Sequence, residues 1–215
     1  MQGKYKEIYD SSINQKENFW KNIAENIFWY KKPSKILNST NPPFYKWYED
    51  GTTNTCYNAI DFHIDNGRGE KTAIIYDSPI TNSKKTFTYN QLKEKVSLFA
   101  GALKNQGINK GDRVIIYMPM IPESVIAMLA CGRIGAVHSV VFGGFAANEL
   151  ASRIDDSKAK IIVSASCGYE PGRVVEYKPL LNKALELSKH KPNKCIIFQR
   201  DKNKSVLDSK IDISW

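Results

Sequence analysis

Two kinds of apolar pattern alternate along the chain from about Thr72 onward. Short runs of β-branched and aromatic residues, typical of strands, are followed by longer stretches with an apolar residue every three or four positions, typical of helices. The short connections between them predict an α/β fold with a mostly parallel sheet, helices on both faces and right-handed crossovers. The predicted strands cover residues 73–76, 86–88, 113–118, 137–142, 160–165 and 194–198; the predicted helices lie between Thr88 and Gly107 and over residues 122–134, 147–155 and 179–189.

Short polar signals mark the ends of the predicted helices. Thr88 is a favourable N-cap residue, and Gly107 can end the helix that Thr88 begins. Near the N-terminus, Asn14 followed by Glu17 resembles a capping box. We therefore expect another helix to begin there, with an apolar stripe formed by Phe19, Trp20, Ile23 and Ile27.

The first sixty residues differ in composition from the rest. They hold three of the four tryptophans, Trp20, Trp29 and Trp47, and the proline-rich turn 41–44. Beyond the first predicted helix no clear periodicity continues, so we expect irregular chain held in place by aromatic side chains. The sequence therefore predicts an N-terminal extension over residues 1–62 and the first part of a larger, truncated α/β domain over residues 63–215.

The net charge of +9 favours anionic partners, which include phosphorylated small molecules, nucleic acid and membrane surfaces. The lysines are scattered and no nucleic-acid-binding motif is visible, so we expect no nucleic-acid partner. No apolar stretch approaches the roughly 20 residues of a membrane span, so we expect no membrane partner. The first ten residues resemble neither a signal peptide nor a transit peptide. We expect a cytoplasmic protein, with the mitochondrial matrix as the alternative if a transit peptide stands upstream.

The cysteines and histidines give no sign of a catalytic or metal site, and Cys131 and His138 are better explained by packing. The four cysteines stand far apart, without a C-x-x-C pair or metal-ligand spacing. Cys131 lies in an apolar helical run, where a buried thiol is expected. His138 lies inside a predicted strand with apolar neighbours, and we expect a hydrogen-bonded core residue there. No Ser-His-Asp arrangement, paired carboxylates, Walker A loop or GxGxxG motif is visible.

Three loops follow predicted strands at the carboxyl edge of the sheet, where open parallel sheets bind ligands. The first, residues 118–123, contains Pro122 and Glu123, which also suit a helix N-terminus for purely structural reasons. The second contains Gly143 and Gly144. Adjacent glycines let a ligand approach the backbone closely, but a tight strand-to-helix turn needs the same residues.

The third loop, residues 167–173, ends at Arg173. Its guanidinium group has the planar fork of donors that suits phosphate, although a lone loop arginine can equally be a plain surface residue. These residues therefore predict an α/β domain with a candidate anion-binding edge.

The loops carry long motifs that closely resemble those of acetyl-CoA and propionyl-CoA synthetases, which belong to the adenylate-forming (AMP-binding) superfamily. The resemblance runs from about residue 5 to the end of the chain. It is carried by residues 118–123, 127–145 and 153–156, and upstream by Tyr9, residues 19–20, 42–44, Trp47, 54–59 and 74–79.

Within that family the chain looks more like the propionyl-CoA synthetases, notably over residues 145–151, 164–168 and 170–181. Acetyl-CoA synthetases usually carry a serine at the position of Ala146 and an arginine at the position of Glu170. In those enzymes a pair of arginines in this loop contacts the CoA nucleotide. The resemblance therefore carries over only Arg173 as an arginine, because a carboxylate cannot hold a phosphate in the same way.

The resemblance implies a two-step reaction. A short-chain carboxylate and ATP would form an acyl-adenylate and pyrophosphate, and the CoA thiol would then attack the adenylate. ATP and CoA would be substrates, with Mg²⁺ accompanying ATP. The implied CoA-binding residues are Phe142, Gly143, Gly144, Glu170, Pro171, Gly172 and Arg173.

The resemblance also implies that the phosphate loop, the acyl pocket and the catalytic lysine lie beyond Trp215. We therefore expect no catalytic residue in this chain and no adenylation by the chain alone. Two alternatives remain open: an acetyl-CoA synthetase proper, and a non-catalytic, truncated module that binds CoA or another protein.

Overall fold

A computed structural model describes residues 3–215. The chain forms two compact units, Met1–Asn58 and Ala59–Trp215. In the part that the structure describes, the first unit contains two α-helices and two very short strands. The second contains the sheet and all the loops that the sequence singles out.

The first unit begins with two consecutive helices, α1 (Lys4–Asn14) and α2 (Lys16–Ala24). The predicted capping box is wrong, because Asn14 is the last residue of α1 and the N-cap position of α2 is Gln15, which makes no side-chain capping bond. The amide of Gln15 instead bonds to the carbonyl of Ser11, so the first helix continues up to the break. Sequence reasoning missed α1, which has no buried residue.

Aromatic residues hold the rest of the first unit together, as predicted. The strands β1 (Leu37–Asn38) and β2 (Lys46–Trp47) form only a short antiparallel pair. The Tyr48 hydroxyl donates to the carbonyl of Trp20 at 2.8 Å, and the Trp29 indole donates to the carbonyl of Ala24 at 2.9 Å. These two bonds fasten irregular chain to α2.

The second unit follows the predicted alternation of strands and helices. Two π-helical turns, Tyr57–Asp61 and Ile64–Arg68, lead into it from the end of the first unit. Its elements are β3 (Thr72–Ser78), β4 (Ser83–Thr88), α3 (Tyr89–Asn105), β5 (Arg113–Tyr117), α4 (Pro122–Ile134), β6 (Val137–Val141), α5 (Ala147–Ser157), β7 (Ile161–Ala165), β8 (Cys167–Glu170), β9 (Arg173–Glu176), α6 (Tyr177–Leu187), β10 (Lys194–Phe198) and β11 (Asp212–Ser214).

Five of these strands form one sheet in the order β11-β10-β7-β5-β6, and every neighbouring pair is parallel. This confirms the predicted α/β class. The strands β3 and β4 form a separate antiparallel hairpin. Every residue of β7 is buried, as are all residues of β5 except Arg113, because helices cover both faces of a parallel sheet.

The predicted start of α3 is confirmed in detail. The Thr88 side chain accepts the amide of Gln91, and the Gln91 side chain accepts the amide of Thr88, which together form a capping box. At the other end, Gly107 has a φ of +82°, a conformation that glycine adopts without the Cβ penalty of other residues.

The sequence did not predict strand β11, which begins with a buried aspartate. Asp212 has a fully buried carboxylate, 2.8 Å from the ammonium group of Lys178 in α6, which is 4% exposed. A buried charge is tolerated when it is paired in this way. The pair joins helix α6 to the sheet, and a short strand that begins with aspartate gives no apolar signal.

Residues 167–173 are a hairpin rather than the loop that the sequence suggests. Strands β8 and β9 pair antiparallel, with Glu170 opposite Arg173, and Gly172 has a φ of +76° in the turn. Four-residue strands around a proline-glycine turn are too short for their alternation to stand out. Helix α6 also begins earlier than predicted, at Tyr177, whose amide bonds to the carbonyl of Ser166.

His138 is exposed, so the prediction of a core histidine is wrong. Its strand β6 forms one edge of the sheet, and Val137 and Val140 on it are also more than half exposed. The apolar neighbours that suggested a core position belong to an uncovered edge. By contrast, Cys131 is fully buried, as expected, and burial raises the pKa of its thiol to about 12.

A buried carboxylate holds the start of the second unit against α3 and α4. Asp61 lies 2.7 Å from Arg133 of α4 and 3.1 Å from Lys93 of α3, and its side chain is 8% exposed. Burial alone would raise the pKa of Asp61, but the hydrogen bonds from Arg133 and Lys93 outweigh it and hold the pKa below its usual value.

We predict that Asp61→Ala lowers the free energy of unfolding by about 2–3 kcal/mol at neutral pH, because the partly buried Arg133 loses its carboxylate. A lowered pKa stabilises the fold above the unfolded value of 3.8, and this stabilisation disappears as the pH falls through the folded value. The difference between wild type and variant should therefore narrow on acidification.

Chemical denaturation at a series of pH values measures this difference. Asp156→Ala is the matched control, since Asp156 is exposed on α5, and it should change stability by less than about 0.5 kcal/mol. A difference between wild type and Asp61→Ala that stays constant on acidification would contradict the assignment.

Candidate functional site

A cleft of about 670 Å³ opens at the carboxyl ends of four parallel strands. Its walls come from the segments that follow β5, β6, β7 and β10, together with the end of β3. All three loops that the sequence singles out contribute to it. The lining residues are 76–80, 118–121, 140–144, 168–170, Tyr177 and Arg200.

Tyr177 forms the floor of the cleft between two glycines. A Cβ atom on Gly143 would lie 1.9 Å from the Tyr177 hydroxyl oxygen, and one on Gly168 would lie 3.0 Å from its ring. Neither glycine has a positive φ, so what requires glycine here is the close approach of this ring. The sequence alternatives for Gly143 were ligand approach and a tight turn, and the structure adds packing as a third reason.

The ring of Tyr117 packs against the ring of Tyr177. The two rings stack with centroids 5.0 Å apart, and the fully buried Tyr117 hydroxyl donates to the carbonyl of Phe145 at 3.0 Å. Burial, and then the neighbouring Tyr177, raise the pKa of Tyr117 to about 12. Tyr117 is therefore a protonated hydrogen-bond donor that fixes the backbone of the glycine loop.

The glycine loop is held in place at its far end by Phe145. The amide of Phe145 bonds to the carbonyl of Phe142 at 3.0 Å, and the Phe145 ring packs against the core and lies under the guanidinium of Arg153. Phe142 itself is 70% exposed, and its ring occupies the space that a Cβ atom on Gly144 would need. The loop therefore presents an exposed aromatic ring and two glycines to the cleft.

The tip of the β8–β9 hairpin lies outside the lining of the cleft. Glu170 lines the cleft, whereas Pro171, Gly172 and Arg173 do not. Both Nε and Nη2 of Arg173 bond to one carboxylate oxygen of Glu170, at 2.7 and 2.6 Å. The two side chains are 71% and 46% exposed, so this ion pair is weak and its partners can exchange.

Sequence reasoning missed Tyr177 and Arg200. The guanidinium carbon of Arg200 lies 3.7 Å from the centroid of the Tyr169 ring, and Nη1 donates to the carbonyl of Cys167 at 3.3 Å. Burial and then the charge of Glu170 raise the pKa of Tyr177, while the charge of Arg200 lowers it. The sequence signal for Arg200 is its position two residues beyond the end of the parallel strand β10.

Between residues 3 and 215, no group of three or more His, Cys, Asp or Glu side chains is placed to hold a metal ion. In the same range, no helix is both long and apolar enough to cross a membrane.

The sheet, its carboxyl-edge cleft and the sequence agree with one family. Residues 62–213 match the family model for AMP-binding enzymes, and residues 5–59 match the model for the acetyl-coenzyme A synthetase N-terminus. The chain belongs to the AMP-binding enzyme family.

Its relatives are short-chain acyl-CoA synthetases. The chain is 52% identical over 214 residues to acyl-CoA synthetase short-chain family member 3, mitochondrial, of Rattus norvegicus, covering 99% of the chain and 31% of that protein. It is 42% identical to propionate–CoA ligase of Escherichia coli, over 98% of the chain and 33% of that protein. It is 47% identical to acetyl-coenzyme A synthetase of Streptomyces coelicolor, over 84% of the chain and 28% of that protein. The chain thus spans about a third of the length of these relatives.

The fold is also that of a solved structure. Acetoacetyl-CoA synthetase from Streptomyces lividans superposes with a TM-score of 0.86 at 21% identity, covering 98% of this chain and 32% of that one. At this identity the likeness concerns the fold alone.

The Tyr177 side chain leaves no room for a Cβ atom on Gly143. Gly143→Ala should lower the free energy of unfolding by about 1–3 kcal/mol, since its Cβ atom would overlap a buried ring. Tyr177→Phe removes the closest atom, so the double variant should lose less stability than the sum of the single ones.

Denaturant unfolding of the four proteins forms the double-mutant cycle. Gly101→Ala in α3 is the matched control, because a Cβ atom there meets nothing within 4 Å and should stabilise the helix by about 0.5–1 kcal/mol. Strictly additive losses at Gly143 and Tyr177 would show that the two residues do not press on each other.

Proposed function

We propose that the protein carrying this chain is a short-chain acyl-CoA synthetase that activates propionate. The carboxylate attacks the α-phosphorus of ATP and pyrophosphate leaves; the CoA thiol then attacks the acyl carbon of the adenylate and AMP leaves. In this proposal the chain contributes the CoA-binding wall, formed by Phe142, Gly143 and Gly144 and by the hairpin residues Glu170, Pro171, Gly172 and Arg173.

The observation that carries the proposal is the convergence of the family's loops on one cleft. The exposed Phe142 ring and the glycine loop line it together with Glu170. Exposed aromatic and apolar groups suit the pantetheine arm of CoA, and backbone without side chains allows a ligand to come close. Arg173 stands at the rim, where its weak pair with Glu170 leaves it able to turn to a phosphate.

Propionate is proposed over acetate on the motif likeness around Ala146, Glu170 and Tyr177. The names of the relatives include both propionate and acetate enzymes, so they support a short-chain acid in general. An acetyl-CoA synthetase proper is the second candidate.

ATP is expected to enter with Mg²⁺, and neither nucleic acid nor a membrane is proposed as a partner. We propose that residues 1–62 form the N-terminal extension and that the large domain begins at residue 63. The cytoplasm is the location proposed from the sequence. The name of the rat relative favours the mitochondrial alternative, and subcellular fractionation distinguishes the two.

We predict that the complete protein catalyses propionate-dependent exchange of pyrophosphate into ATP, and forms propionyl-CoA and AMP once CoA is added. The value of kcat/KM for propionate should exceed that for acetate by about tenfold or more, since one methylene in an apolar pocket contributes roughly 1–3 kcal/mol. Exchange that is faster with acetate would refute the propionate preference only. CoA binding without exchange for any short acid would favour the non-catalytic alternative.

At the hairpin tip we predict that Arg173→Gln raises the KM for CoA by about threefold to tenfold. The effect is modest because the side chain is exposed and shared with Glu170. The pyrophosphate exchange rate should not change, since adenylation needs no CoA. Lys183→Gln, an exposed and ion-paired lysine of α6, serves as the charge-matched control. An unchanged KM for CoA in Arg173→Gln would show that the hairpin tip is not part of the CoA-binding site.

A further inference from the structure

We propose that Arg200 supplies the positive charge that binds a phosphate group of CoA inside the cleft. This inference rests on the function proposed above and assigns a role to a residue outside the family motifs discussed so far.

Arg200 lies just beyond the carboxyl end of β10, a strand inside the parallel sheet. Ligands bind at this edge of such sheets. Its backbone is fixed by a hydrogen bond from its amide to the Ser166 hydroxyl at 2.9 Å. The residue is half-buried and belongs to the lining of the cleft.

The guanidinium group is held in a fixed orientation. It stacks on the ring of Tyr169 at 3.7 Å from the centroid, and one of its nitrogens donates to the carbonyl of Cys167. The remaining N–H groups have no hydrogen-bond partner among residues 3–215. A stacked guanidinium with free donors on its edge is well suited to bind phosphate through two hydrogen bonds.

The charges around the cleft leave Arg200 without a carboxylate. The other charged residues in its lining are Asp77, which lies 3.4 Å from Lys84, and Glu170, which is bonded to Arg173. No carboxylate lies within 4.0 Å of Arg200 in the part of the chain that the structure describes. Arg200 is thus a cation inside the cleft lining, whereas Arg173 stands outside the lining in a weak, exposed pair with Glu170.

The phenol of Tyr177 lines the same cleft as Arg200. Burial, and then the charge of Glu170, raise the pKa of the Tyr177 hydroxyl, while the charge of Arg200 lowers it. The Tyr177 hydroxyl and the Arg200 guanidinium can both donate hydrogen bonds within this lining, which suits the oxygens of an anionic group. The exposed side chains of Met120 and Phe142 in the same lining suit the apolar arm of the same molecule.

The test is equilibrium binding of CoA to the complete protein by isothermal titration calorimetry, with Arg200→Gln as the variant. We expect the Kd for CoA to rise by about tenfold to a hundredfold, the usual effect of losing a hydrogen bond to a charged group. Pantetheine carries the thiol arm and no phosphate, so its KM in the acyl-transfer step should be the same for Arg200→Gln and wild type.

Lys202→Gln is the matched control. Lys202 also lies over the Tyr169 ring, at 5.2 Å, but it does not line the cleft, so its loss should leave the Kd for CoA unchanged. Arg200→Lys keeps the charge without the planar fork and should weaken CoA binding less than Arg200→Gln does.

Two outcomes would overturn the inference. One is an unchanged Kd for CoA in Arg200→Gln. The other is an equal loss for CoA and pantetheine, which would mean that Arg200 acts by supporting Tyr169 and the hairpin. Neither result bears on propionate-dependent pyrophosphate exchange by the wild-type protein. Failure of that exchange would refute the proposed function, but it would not change the measured effect of Arg200→Gln on CoA binding.

Discussion

The packing of Tyr177 between two glycines is the contact on which the cleft depends. The ring touches Gly143 in the loop after β6 and Gly168 in the hairpin after β7, and it stacks on Tyr117 at the end of β5. Three segments that are far apart in sequence are therefore positioned by one side chain at the start of α6. A larger residue at either glycine would displace the ring, since a buried ring cannot move aside without disturbing its other contacts.

The sheet determines where these segments meet, and ion pairs determine which charges remain available. Parallel strands bring all their carboxyl ends to one edge, so the loops after β5, β6, β7 and β10 lie next to one another. The buried carboxylates of Asp61 and Asp212 form ion pairs with basic side chains and stabilise the fold. The pair of Glu170 and Arg173 is exposed and adds little stability, which leaves its charges available for a ligand.

The sequence predicted the strands and helices of the second unit well, because their apolar periodicity reflects burial on the two faces of a parallel sheet. It also predicted that the glycine loop and Glu170 lie at the carboxyl edge of the sheet, where the cleft opens. The predictions were wrong where the apolar pattern does not match the actual burial. His138 has apolar neighbours but lies on an uncovered edge strand, and Asp212 is a charged residue that is buried in a strand of the sheet. The β8–β9 hairpin was too short to register as strands.

The roles of Tyr177 and Arg200 could not be predicted for a different reason. Both depend on contacts between residues distant in sequence, the ring of Tyr177 with Gly143 and the guanidinium of Arg200 with Tyr169. No local pattern encodes such contacts. Likewise, the glycines read as signs of ligand approach or a tight turn, while their shared partner became visible only in three dimensions.

The most direct test of the central claim is a crystal structure of the complete protein with CoA bound. The account predicts density for CoA in the cleft, with its arm passing over Gly143 and Gly144 beside Phe142 and a phosphate within hydrogen-bond distance of Arg200. Density for CoA at another surface, with this cleft empty, would contradict it.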